Sequence, residues 1–172
     1  RVDRRPAAGL AVTDLDGCIG YGEVAGKEGA PYVATIAHSD IVPVGLGWTV
    51  PALDVTRREG YLMGRGVLDD KGPLVLSLWA AHFFARQVEE TGEPLPYALR
   101  CIIGNNEETN MADLEHYLDC CPEPAFCFSP DADFPLICGE KGVYGGSFTS
   151  EPMLGRGIEE LDGGTVSNAI SG

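Results

Sequence analysis

The sequence predicts an α/β domain, a mixed and largely parallel sheet flanked by helices. Short apolar runs rich in β-branched and aromatic residues lie at 32–37, 97–103 and 125–128 and read as buried strands. Two helical stretches lie between them, a long one from Pro73 and a shorter one over 111–119. Strands alternating with helices argue for parallel pairing. His38, the pair Glu107-Glu108, and Asp131 each follow one of these runs. Open α/β sheets gather their sites at such strand ends.

The elements follow in order. Residues 1–17 are polar and mixed and predict little regular structure. Residues 18–24 alternate loosely as a strand, 26–31 form a turn, and the 32–37 strand ends on His38. Residues 43–60 form a long loop punctuated by Pro43, Gly45, Gly47 and Pro51, with Trp48 packing it down. Residues 57–64 read as a small hairpin with Gly60 in its turn. The long helix begins at Pro73, where a missing N–H costs nothing, and ends by Gly92, a natural stop. Leu74, Leu78, Trp79, Ala81 and Phe83 fall along it, and Trp79, Phe83 and His82 are expected in the core and at its flank. Thr109 or Asn110 is positioned to cap the helix over 111–119, and Pro122 and Pro124 break the chain after it. Beyond the 125–128 strand, residues 136–138 and 143–149 read as a strand–turn–strand piece around Glu140-Lys141-Gly142.

Bulk composition bounds the function. The 172 residues suit one domain, and 44% hydrophobic residues suffice for a core. A net charge of −14 argues against nucleic acid or an anionic membrane as partner. No segment has the length of a membrane-spanning helix and no signal peptide is visible. Cys18, Cys101, Cys120, Cys121, Cys127 and Cys138 form no CxxC pair, and two of them are adjacent. That spacing suits neither a zinc finger nor a disulfide framework, so reduced thiols in a cytoplasmic protein are expected.

Each acidic cluster has a bland reading when taken alone. A lone histidine such as His38 is more often structural than a ligand. Asp69-Asp70 ahead of a helix can simply favour its dipole. Glu107-Glu108 can be an exposed acidic turn, and Asp131 a turn residue. Their combination carries more. His38 and Asp40 stand at i and i+2 of an extended segment and share a face, so the carboxylate can take an imidazole N–H and fix its tautomer. The glycines around Asp69-Asp70 let backbone approach a ligand, and a carboxylate has two oxygens with which to bridge cations. Of two adjacent glutamates, one can bind a cation while the other takes a proton from water. One imidazole with several spaced carboxylates suits hard or borderline divalent ions.

Five ordered motifs carry a resemblance. They are His38-Ser39-Asp40-Ile41-Val42-Pro43 with Gly45-Leu46-Gly47-Trp48-Thr49, then Gly64-Arg65-Gly66-Val67-Leu68-Asp69-Asp70-Lys71-Gly72-Pro73, then Glu107-Glu108-Thr109. Ser129-Pro130-Asp131-Ala132-Asp133-Phe134-Pro135 and Gly139-Glu140-Lys141-Gly142 complete the set. Together, over residues 20–149, they resemble the M20 family of metallopeptidases, in particular its dipeptidase branch of dipeptidase V and carnosinase-like enzymes. The resemblance implies a partial catalytic domain of the di-zinc exopeptidase-like fold. It implies His38 and Asp131 on one metal ion, Asp69 bridging to a second ion that Glu108 also binds, Glu107 as general base, and Asp40 as partner of His38. The implied cofactors are two divalent ions, zinc first, with manganese or cobalt as alternatives. The implied reaction is hydrolysis of the amide bond of dipeptides or short peptides, and strain with a cis peptide is expected at Asp69-Asp70.

The departures set further expectations. The family's catalytic domain is interrupted by a lid and later supplies another histidine ligand, whereas only His82 and His116 accompany His38 here, both in predicted helices outside the motifs. Residues 1–150 therefore read as the N-terminal part of a catalytic domain and 151–172, with Gly163-Gly164-Thr165, as the start of a lid or linker. The chain is expected to be truncated, its second metal site incomplete, and its exposed apolar sheet prone to self-association. Deacylation of N-acyl amino acids and metal binding without catalysis are the competing functions.

Overall fold

The computed structural model describes residues 9–132, 135–139 and 141–142. The chain divides into two compact units, Arg1–Leu136 and Ile137–Gly172. Within the second, residues 137–139, 141 and 142 carry no regular secondary structure, so the strand predicted over 136–138 is absent. Its predicted partner over 143–149 lies outside the described residues, as do Asp133, Phe134, Glu140 and the glycines at 163 and 164.

The first unit is built on a five-stranded mixed sheet. In chain order its strands are β1 (Ala11–Leu15), β2 (Ile19–Val24), β3 (Tyr32–His38), β6 (Ala98–Gly104) and β7 (Phe126–Phe128). A separate hairpin pairs β4 (Thr56–Arg58) with β5 (Tyr61–Met63). The helices are α1 (Gly72–Thr91) and α2 (Ala112–Cys120). The spatial order is β1-β2-β6-β3-β7. β1 and β2 pair antiparallel, as do β2 and β6, whereas β3 runs parallel to both β6 and β7. The three strands that precede the acidic clusters thus form the parallel part, and their carboxyl ends share one edge.

Side-chain alternation puts one helix on each face of this sheet. Ile102 packs with Ile19, Tyr32, Ala34 and Tyr117 of α2, while its neighbour Cys101 packs with Leu10, Val24 and Ala81 of α1. The helix boundaries follow the sequence. Pro73 sits in the first turn of α1, and Gly92 ends it in the left-handed conformation with φ 71°. The β4–β5 turn places Glu59 and Gly60 at φ 53° and 85°, the pair of positive values that a two-residue hairpin turn requires. Among the described residues no helix is long and apolar enough to cross a membrane.

Four expectations need correction. Residues 11–15, read as unstructured, form β1; it is an edge strand with little burial, so it shows no apolar alternation. The 125–128 run is a strand, but all three residues of β7 are exposed because β7 is the opposite edge. Trp79 and Phe83, expected in the core, are each 65% exposed. The fully buried contact of α1 is Ala81, whose small side chain lets the helix axis approach the sheet while the aromatics point outward. Finally, neither the Thr109 nor the Asn110 side chain forms a conventional cap on α2, whose N-cap residue is Met111 at φ 55°. The Ala112 N–H instead donates to Asn106 Oδ1 at 3.1 Å and more distantly to Asn110 Oδ1 at 3.4 Å. The predicted anchoring role of Trp48 is local: its indole N–H donates to Val44 O at 2.8 Å within the same loop.

Candidate functional site

His38 is the last residue of β3 and is 3% exposed. Its ring is surrounded by carboxylates from four different segments. Asp69 Oδ1 lies 3.1 Å from Nε2, Asp131 Oδ2 3.3 Å and Glu107 Oε2 3.9 Å. On the other side, Asp40 Oδ1 is 3.2 Å from Nδ1, although the approach falls outside hydrogen-bond angles. All of the predicted residues are therefore gathered on one imidazole, except Glu108, which joins through a second group.

Two sets of donor atoms lie within 4.8 Å of one another: His38 with Asp69 and Asp131, and His38 with Glu107 and Glu108. His38 is common to both, while Asp69 and Glu108 do not share a set. The donor chemistry fits a divalent cation. One imidazole nitrogen and two carboxylate oxygens from separate segments, 3.1 and 3.3 Å from that nitrogen, match the spacing of ligands that each approach one ion to about 2.0–2.2 Å.

The supports of these side chains lie in backbone contacts. Asp69 sits in an irregular turn, Val67–Lys71, where it alone has extended φ and ψ of −120° and 98°. The Asp69–Asp70 peptide is cis. The turn allows Asp69 to face the imidazole while Asp70 turns inward, fully buried, and accepts the His38 backbone N–H at 3.0 Å. Gly66, at φ 82°, makes room for this: a Cβ there would stand 2.6 Å from Ile41 Cγ2 and 3.0 Å from Lys71 Nζ. Lys71 reaches back to donate to Ser39 O at 2.5 Å. Asp40 Oδ2 accepts the Glu108 N–H at 3.1 Å, and Glu108 Oε1 accepts the Val42 N–H at 3.1 Å. The loops after β3 and β6 are thereby clipped together.

The electrostatics reflect crowding. Burial alone would lower the His38 pKa, but Glu107, Asp40, Asp131 and Asp70 outweigh it and raise it. Burial is the first cause at Asp70 also, where it pushes the carboxyl up to about 6 against the opposing His38 N–H. Glu107 is raised by burial first, with Glu108, Asp131 and Asp40 adding to it against the pull of His38. Such raised carboxyl groups crowded round one imidazole are found at cation and proton sites, and in structural charge networks as well.

Sequence reasoning did not single out Asp70 as an anchor of His38, nor Asp113, which grips the chain after β6. Both depend on backbone partners far away or around a turn, and no motif signals them.

Residues 34–153 match the model of Peptidase family M20/M25/M40. The chain is 37% identical over 139 residues to YtjP of Bacillus subtilis, covering 81% of this chain and 29% of that protein. It is 36% identical over 128 residues to the Beta-Ala-Xaa dipeptidase of Lactobacillus delbrueckii, covering 74% of this chain and 26% of that protein. The chain thus spans less than a third of the length of these relatives. In fold it is similar to the crystal structure of human carnosine dipeptidase 1, with a TM-score of 0.55 at 21% identity, over 74% of this chain and 30% of that one.

Proposed function

Because the chain belongs to peptidase family M20/M25/M40, we propose that it supplies the metal-holding part of a catalytic domain that hydrolyses the amide bond of dipeptides or short peptides. The observation that carries this reading is the convergence of Asp69, Asp131 and Glu107 on the single buried imidazole of His38. The similarity to the Beta-Ala-Xaa dipeptidase favours dipeptides over N-acyl amino acids as substrates. In this reading residues 1–150 form the N-terminal part of the catalytic domain, 151–172 begin a lid or linker, and the working enzyme is longer.

His38, Asp69 and Asp131 would hold one divalent ion, zinc first and manganese or cobalt as alternatives. Asp69 and Glu108 would contribute to a second, which needs a further ligand from outside this chain because catalytic zinc usually takes three protein ligands. Such ions polarise a carbonyl and make nearby water more acidic. The chain's own residues do the rest. Glu107, whose carboxylate reaches toward Nε2 without being drawn tightly to it, takes the proton of the attacking water and delivers it to the leaving amine. Asp40 Oδ1, 3.2 Å from Nδ1, puts negative charge beside that nitrogen and so favours the proton there, with Nε2 facing the site. Asp70 fixes the height of the imidazole through its backbone. The free thiols support a reducing compartment, and the cytoplasm is the location we propose.

The test uses the chain with its natural continuation, loaded with zinc and assayed on a small dipeptide panel. Glu107→Gln is expected to lower turnover by at least roughly a hundredfold with metal content preserved. Glu108→Gln is expected to lose metal. The reverse pattern exchanges the two roles, and zinc binding without turnover on any dipeptide overturns the enzymatic reading.

A further inference from the structure

Asp113 is the second residue of α2 and only 7% exposed, an unusual depth for a carboxylate without a cationic partner among the described residues. Its Oδ2 accepts the backbone N–H of Asn105 at 2.7 Å and of Asn106 at 3.1 Å, and its Oδ1 accepts the N–H of Leu114 at 2.8 Å. Three backbone donors at a helix N-terminus hold its two oxygens in place. Gly104, the last residue of β6, passes so close that a Cβ there would stand 2.6 Å from Asp113 Oδ2. Gly104 is also the register partner of His38, and its carbonyl accepts both the Ser39 N–H at 2.8 Å and the Ser39 hydroxyl at 3.0 Å. The carboxylate therefore grips the chain immediately after its contact with the His38 strand and two residues before Glu107.

We propose that Asp113 is a positioning residue that sets the direction of the 105–108 loop and thereby aims Glu107 at the site. Its hydrogen bonds to the loop go to the backbone of Asn105 and Asn106, and through them it acts on Glu107. The inference rests on the reading of Glu107 as the base. A lone helix cap would stabilise α2 and nothing else; the difference here is that two of the three bound amides belong to the loop that carries the glutamates.

The test compares Asp113→Asn, which retains one acceptor oxygen, with Gly104→Ala, which pushes a methyl into the same carboxylate while keeping both its oxygens. Both are made in the zinc-loaded protein with its natural continuation and studied well below the unfolding midpoint. Amide exchange at Asn105 and Asn106 is expected to quicken by at least about tenfold, and kcat to fall by at least about tenfold, with KM and zinc content nearly unchanged. The double variant is expected to be no worse than the poorer single, since both act on one contact. Rescue of kcat by neither variant's zinc saturation completes the expected pattern. Unchanged exchange at the two amides, or faster exchange with kcat per bound zinc unchanged, overturns the proposal. If Asp113→Asn does not fold, Gly104→Ala decides alone. An inactive parent protein overturns the proposed function instead, and the exchange measurement still decides whether the clamp exists.

Discussion

At the scale of single residues, several charges in the interior are held by groups distant in sequence, as the Asp70 carboxylate is by the backbone of His38. Arg100 shows it away from the site. Its guanidinium lies between the rings of Tyr21 and Tyr32, 4.0 and 4.1 Å from their centroids, and donates to Glu23 Oε2 at 2.8 and 2.6 Å and to the Tyr117 hydroxyl at 2.7 Å. The Tyr117 hydroxyl in turn lies 3.3 Å from that of Tyr32, which donates to Pro122 O. Tyr117→Phe removes one acceptor and leaves an Arg100 donor unsatisfied, so we expect a loss of about 1–3 kcal/mol, read from urea unfolding. An unchanged midpoint would mean that water replaces the hydroxyl. The candidate residues His38, Asp69, Glu107, Glu108 and Asp131, which the fold brings together, could be picked out of the sequence because they sit in ordered motifs. Arg100, Asp113 and the anchoring role of Asp70 were not, because an isolated Arg or Asp carries no sign of the partner that folding brings to it.

At the scale of elements, burial was harder to read than periodicity. The span of α1 followed from Pro73 and Gly92, but its buried face did not, because large apolar side chains draw attention that here belongs to Ala81. Ala81→Leu is expected to cost about 1–3 kcal/mol by overpacking against the sheet, whereas Trp79→Ala, on the exposed face, should change stability by less than about 0.5 kcal/mol. Thermal unfolding of the two variants distinguishes them, and equal effects would place the helix in a different rotation. Gly92→Ala is expected to cost about 1 kcal/mol, since φ 71° strains a residue with a Cβ. The edge strands misled in opposite directions. β1 is a strand without an apolar pattern, and β7 is apolar without burial, since pattern reports composition and only the sheet order determines which strand has two neighbours.

At the scale of the whole molecule, three crowded groups bind protons more tightly folded than free. His38, Asp70 and Glu107 all have raised pKa values. A group of this kind contributes most stability below its ordinary pKa and loses it as the pH rises through its raised one; for Asp70 the window runs from 3.8 to about 6. Chelator-stripped protein is therefore expected to be more stable at pH 5 than at pH 7.5, and Asp70→Asn to flatten the profile between about pH 4 and 6. Urea midpoints across that range check both, and stability rising with pH would contradict them. The mixed sheet and its flanking helices were legible because alternating strands and helices leave few topologies; the antiparallel β1–β2 addition was hidden by its exposure. The direct pairing of β3 and β6, unbroken from Tyr32 opposite Ala98 to His38 opposite Gly104, has a consequence for how the gene can vary. Length changes at the β4–β5 turn or between α1 and β6 leave every paired residue opposite its partner. A single codon gained or lost inside β6 would exchange the side chains it presents to the two helices and carry the glutamates one residue away from the imidazole, so natural variation in length should collect in the former places and be missing from the latter.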